Sequence, residues 1–86
     1  MRSGSVTVRL YATAREAAQR AVVELPVPAA GESAQALLGR LVARWPALRR
    51  VLPTCRFVRN DRYLRNLSVR LRAGDELAVH PPYGGG

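Results

Sequence analysis

Apolar and polar residues alternate through Val6-Thr7-Val8-Arg9-Leu10-Tyr11, a period of two that puts Val6, Val8 and Leu10 on one face of a strand. Thr13 and Glu16 then stand at capping-box spacing, which predicts a short helix opening at Thr13 and running through Gln19. Ala21-Val22-Val23-Glu24-Leu25 predicts a second strand, ended by Pro26 and Pro28 and antiparallel to the first. Ser33 is placed as the N-cap of a longer helix. Its stripe, Ala34, Leu37, Leu38, Leu41, Val42 and Trp45, follows the helical period, with Arg40 and Arg44 on the opposite, solvated side. Pro46 ends that helix. Leu48, Val51 and Leu52 predict a connecting turn seated on the core.

Cys55-Arg56-Phe57-Val58-Arg59 predicts a third strand, whose inward face the pattern leaves open. Asn60-Asp61 is a turn dipeptide, because both residues tolerate a left-handed φ. Arg62-Tyr63-Leu64 returns as a short extended piece, and Leu67, Val69 and Leu71 alternate with polar neighbours. Ala73-Gly74-Asp75 is a further turn, and Glu76–His80 is the last strand with Leu77 and Val79 inward. The order β-β-α-β-(short β)-β is an α+β architecture, one main helix across a small mixed sheet. If the first and last strands lie side by side and parallel, it is a β-grasp, the ubiquitin-like fold. Periodicity does not fix that strand order.

Composition narrows the picture. The 86 residues suffice for one domain with a modest core, and 48% apolar content excludes wholesale disorder. Neither a signal-peptide pattern nor a membrane-length apolar run is present, and Cys55 is the only cysteine. A reducing cytoplasm is therefore the expected location, with no membrane partner. The net charge of +8 comes from fourteen arginines and no lysine. They are dispersed along the chain, which argues against a dedicated nucleic-acid-binding arm.

The chain ends in Pro81-Pro82-Tyr83-Gly84-Gly85-Gly86. Two prolines stop the last strand, and three glycines strip the end of side chains. Fully extended, this segment reaches roughly 20 Å, a bare rod suited to a narrow tunnel on another protein. The expected organisation is a flexible N-terminus over residues 1–5, a β-grasp domain over 6–80, and an extended functional tail over 81–86.

These pieces together carry a resemblance. Val8-Arg9-Leu10-Tyr11-Ala12, Ala14-Arg15-Glu16-Ala17-Ala18, the Leu37–Trp45 helix, Asn60, the stretch from Leu71 through Leu77, and Pro81-Pro82-x-x-Gly85-Gly86 resemble the small subunit of molybdopterin synthase. That family comprises ubiquitin-like sulfur carriers, and the resemblance spans nearly the whole chain from Val6. It implies that Gly86 bears an acyl adenylate and then a thiocarboxylate, while Gly85 allows passage through the partner's tunnel. It further implies that Tyr11, His80, Pro81, Pro82, Tyr83 and Gly84 contact partners. No cofactor is implied as permanently bound. ATP is consumed by an E1-like adenylating enzyme, and a sulfur donor protein and the large synthase subunit complete the set of partners. Tyr83 and Gly84 depart from the family pattern, which usually has smaller and hydroxyl-bearing residues there.

Two other readings stay open. The same carrier chemistry serves cysteine, thiamin or tRNA thiolation, and a basic RNA-binding module would use the arginines with Tyr11, Tyr63 or Phe57. No enzyme active site is expected, because His80 has no nucleophile or paired carboxylate at a recognisable spacing. Cys55 is expected to be a small buried hydrophobe, and Asp61, Asp75 and Glu76 form no metal-ligand pattern.

Overall fold

The computed structural model describes residues 4–82. Strand β1 (Gly4–Leu10) is followed by α1 (Ala12–Ala18), β2 (Val22–Val27), β3 (Glu32–Ser33) and α2 (Ala34–Arg44). The chain continues with α3 (Leu48–Val51), a 3-10 turn (Leu52–Thr54), β4 (Arg56–Arg59), β5 (Arg62–Tyr63), β6 (Arg70–Leu71) and β7 (Glu76–His80). The main sheet has the order β2-β1-β7-β4-β5, and β3 pairs with β6 in a second, two-stranded sheet. β1 and β7 are parallel at the centre, with Val8 opposite Leu77 and Leu10 opposite Val79; every other pair is antiparallel. This is the β-grasp expected from the element order.

One apolar layer joins the inner sheet face to α2. Val6, Val8, Leu10, Leu37, Leu41, Leu48, Leu71, Leu77 and Val79 are fully buried. Phe57 resolves the open question about β4, since it packs inward opposite Val79 while Arg56 and Val58 face out. Burying each such side chain contributes about 1.5–3 kcal/mol. An exposed ion pair contributes only about 0–1 kcal/mol. Packing therefore contributes more to the fold than an exposed ion pair such as Arg9–Glu76.

Several local expectations are corrected. Helix α1 opens at Ala12 with Tyr11 as its N-cap, and no side chain caps it. The Tyr11 carbonyl, still in extended geometry beside β7, accepts from Ala14 and Arg15 and starts the helix early. Thr13 therefore lies inside the first turn. Strand β2 runs through Pro26 to Val27. It is an edge strand, where a missing N–H is tolerated. Arg40 is half-buried rather than solvated: it donates to both carboxylate oxygens of Glu32, at 3.0 and 2.8 Å, and to the Pro26 carbonyl at 2.6 Å. Ser33 caps α2 as expected, its Oγ accepting from the Ala36 N–H at 3.1 Å.

The Gly74-Asp75 turn and the Asn60-Asp61 hairpin form a single clasp at the start of β7. Asp75 accepts from the Arg72 N–H at 2.8 Å, from Asn60 Nδ2 at 3.0 Å and from Arg59 Nε at 3.2 Å. Asn60 Oδ1 in turn accepts from the Glu76 N–H at 2.9 Å. Asn60 and Asp61 take φ of 47° and 72°, and Gly74 takes 92°. Burial opposes the Asp75 charge, but the bonds from Arg72, Asn60 and Arg59 outweigh it and hold the carboxyl below its ordinary value.

A depressed carboxyl stabilises the fold above its unfolded pKa of about 3.9, and that contribution is lost as pH falls through the lower folded value. Asp75→Asn should cost about 1–3 kcal/mol in urea unfolding at neutral pH. The variant should also lose less stability than the wild type between about pH 5 and about pH 3. Wild-type midpoints at both pH values would contradict the clasp.

Candidate partner-docking site

The parallel register carries past the strand ends. Because Leu10 lies opposite Val79, the next residues, Tyr11 and His80, emerge abreast on the outer face. Their rings stack with centroids 4.7 Å apart and planes 5° from parallel. A left-handed turn at Ala12, φ 48°, bends the chain away immediately after Tyr11. Such a φ costs a non-glycine residue roughly 1–2 kcal/mol. Pro81 and Pro82 follow His80, and with Thr54 and Arg56 they line a concavity of about 450 Å³ at the root of the tail. The structure therefore brings Tyr11, His80, Pro81 and Pro82 together. Tyr83, Gly84, Gly85 and Gly86 lie outside the described residues.

The outer sheet face extends this patch. Arg9 lies opposite both Val22 and Ala78, and Val58 lies opposite both Ala78 and Tyr63. One row thus crosses all five strands as Val22, Arg9, Ala78, Val58 and Tyr63. Tyr11, Val22 and Tyr63 are 42%, 43% and 67% exposed, and all three lie on this outer side. Arg9, held by Glu76 at 2.7 Å, interrupts the row between Val22 and Ala78, and Thr7 donates to Glu24 at 2.8 Å beside it. Apolar area interspersed with paired polar groups suits a protein contact. Val22, Val58 and Tyr63 were missing from the sequence-derived docking set. Their signal is the cross-strand register, which requires the strand order.

Comparison with known proteins now gives the family. A model of the ThiS family matches residues 8–86. The chain belongs to the ThiS family. A molybdopterin synthase sulfur carrier subunit from Chlamydomonas reinhardtii is 40% identical over 57 residues, covering 65% of this chain and 69% of the relative. One from Drosophila ananassae is 38% identical over 84 residues, covering 95% and 91%. The crystal structure of small archaeal modifier protein 1 from Haloferax volcanii superposes with a TM-score of 0.83 at 32% identity, covering 96% of this chain and all of that one.

In this ThiS-family chain, the motif residues Asn60, Gly74, Asp75 and Glu76 build the clasp at one end of β7, and Tyr11 and His80 sit at the other. Among the described residues no cluster of His, Cys, Asp and Glu is arranged to hold a metal ion. No described helix is long and apolar enough to cross a membrane.

Cys55 is half-buried against the core, and its Sγ donates to the Val51 carbonyl at 3.2 Å. Burial pushes the thiol pKa up, against a smaller opposing contribution from the Thr54 side chain. A thiol held protonated is a poor nucleophile. Iodoacetamide should therefore alkylate Cys55 more slowly than free cysteine at pH 8, with the rates converging in urea. Alkylation at the free-cysteine rate in the native protein would contradict this assignment.

Proposed function

We propose that this protein is a ubiquitin-like sulfur carrier of molybdopterin synthesis whose working group is the carboxylate of Gly86. The observation that carries the reading is the tail's root. The central strand β7 ends at His80, beside Tyr11, at the border of an apolar sheet face, in a chain whose relatives are named sulfur carrier subunits.

The chemistry explains the design. A carboxylate is a poor electrophile, so an ATP-dependent, E1-like enzyme joins it to AMP and releases pyrophosphate. The outer sulfur of a donor protein's persulfide then displaces AMP to give an acyl disulfide. A second thiolate attacks the donor-side sulfur, forming a disulfide there and releasing a thiocarboxylate, which is more nucleophilic than the carboxylate it replaces. The large synthase subunit grips the outer sheet face through Tyr11, His80, Val22, Val58 and Tyr63 and receives the tail, with Gly85 passing its tunnel. Pro81 and Pro82 stiffen the approach, and Tyr83 and Gly84 lie at the tunnel mouth. The chain holds no cofactor and supplies a substrate arm rather than an active site.

A second reading uses the same activation. Similarity to an archaeal modifier protein supports attachment of Gly86 to an amine on another protein. The chain has no lysine, so it cannot be its own lysine acceptor and chains of the polyubiquitin type are not expected. Isopeptide conjugates in cells lacking the synthase's large subunit would identify this route.

Deleting Gly86 should abolish ATP–pyrophosphate exchange by the activating enzyme while leaving thermal unfolding unchanged. Exchange at the wild-type rate would overturn the assignment of the terminal carboxylate. Tyr11→Ala should weaken binding to the large subunit by about tenfold or more, as expected for an aromatic anchor that stacks on His80. An unchanged Kd would remove Tyr11 from the interface.

A further inference from the structure

We propose that the free edge of β2 is a second docking site, which takes an extended acidic–apolar segment of a partner protein as a sixth strand. Hydrogen-bond parity points to that edge. The Leu10 N–H donates to the Ala21 carbonyl at 2.8 Å, and the register places Arg9 opposite Val22 and Thr7 opposite Glu24. In an antiparallel pair the bonded residues alternate, so the N–H and C=O groups of Val22 and Glu24 point away from β1. Pro26 confirms the parity, because its carbonyl reaches outward to Arg40 Nη2 at 2.6 Å. Arg40 and the missing Pro26 N–H close one end of the edge. The other end, at Val22, remains open.

Charge selects the occupant. The guanidinium carbons of Arg20 and Arg44 lie 5.8 and 5.1 Å from the centroid of the Trp45 ring, so two cations converge on one aromatic surface. Among the described residues the ion pairs involve Arg9, Arg40 and Arg59, and neither Arg20 nor Arg44. Arg20, Arg44 and Trp45 form one wall of a groove of about 240 Å³, and β2 from Val22 to Pro26 forms the other. The Glu24 carboxylate is turned to the outer sheet face, where it accepts from Thr7. The groove therefore presents a short backbone ladder with two positive charges at its open end.

An extended peptide with apolar residues along the strand and carboxylates beside Arg20 and Arg44 satisfies both features. A nucleic acid satisfies the charge but has no peptide ladder to pair. A second copy of this chain would bring further positive charge, since the chain carries +8. This site opens along the sheet edge and involves neither the Tyr11–His80 stack nor the tail; it meets the outer sheet face only at Val22, whose side chain lies on that face and whose main chain lines the edge.

The test is NMR titration of the full chain with a synthetic octapeptide of alternating valine and threonine preceded by three glutamates. Amide shifts should centre on Val22 and Glu24, with the Trp45 indole following. Reversing both cations, Arg20→Glu with Arg44→Glu, should weaken binding by about tenfold or more. N-methylating the pairing edge of the peptide should weaken it by about tenfold, the loss of about one net hydrogen bond, without altering the protein. Shifts centred on Val58 and Tyr63 would overturn the proposal. Undiminished binding of the methylated peptide, or equal affinity for an RNA oligomer of the same charge, would also do so.

Discussion

Because β1 and β7 run parallel at the centre of the sheet, the end of the first strand and the end of the last lie side by side. That pairing buries Val6, Val8, Leu10, Leu77 and Val79 in one layer against α2. It also determines what the molecule presents to others. Tyr11 and His80 stack because their strands end in register, and whatever follows His80 leaves from the middle of the sheet. Stability and presentation thus share one constraint, since a one-residue slip between β1 and β7 would separate the stacked rings and turn core residues outward.

The two ends of β7 divide the labour. At its start, Asp75, Asn60, Arg59 and Arg72 close a hydrogen-bonded clasp, and main-chain bonds from Thr7 to Asp75 and from Gly74 to Ser5 stitch that turn to β1. At its end, among the described residues, a stacked pair and two prolines take the place of a polar network. The strand is anchored at one end and presents the tail at the other. This distribution suits the proposed carrier role, in which the terminus is offered to partners while the domain stays fixed.

Much of this was legible in the residues. The alternation in β1 and β7, the stripe on α2, the Ser33 cap and the left-handed Asn60-Asp61 turn each follow from local chemistry that tertiary context did not override. What stayed hidden depends on distant pairing. The β3–β6 ladder joins two-residue strands too short to leave a periodic signal. Pro26 remains in a strand only because β2 lies at an edge, and Arg40 turns inward only because Glu32 and the Pro26 carbonyl await it. The outer row Val22–Arg9–Ala78–Val58–Tyr63 is assembled from five strands and follows from register alone.

The central claim is that Gly86 becomes a thiocarboxylate. Intact-mass spectrometry of the full chain, after incubation with ATP, a family activating enzyme and a sulfur source, tests it directly. The account predicts the mass gain of one oxygen exchanged for sulfur, mapped by fragmentation to Gly86 and retained in Cys55→Ser. An unmodified Gly86 under conditions that convert a known carrier, or sulfur found on Cys55 instead, would contradict it.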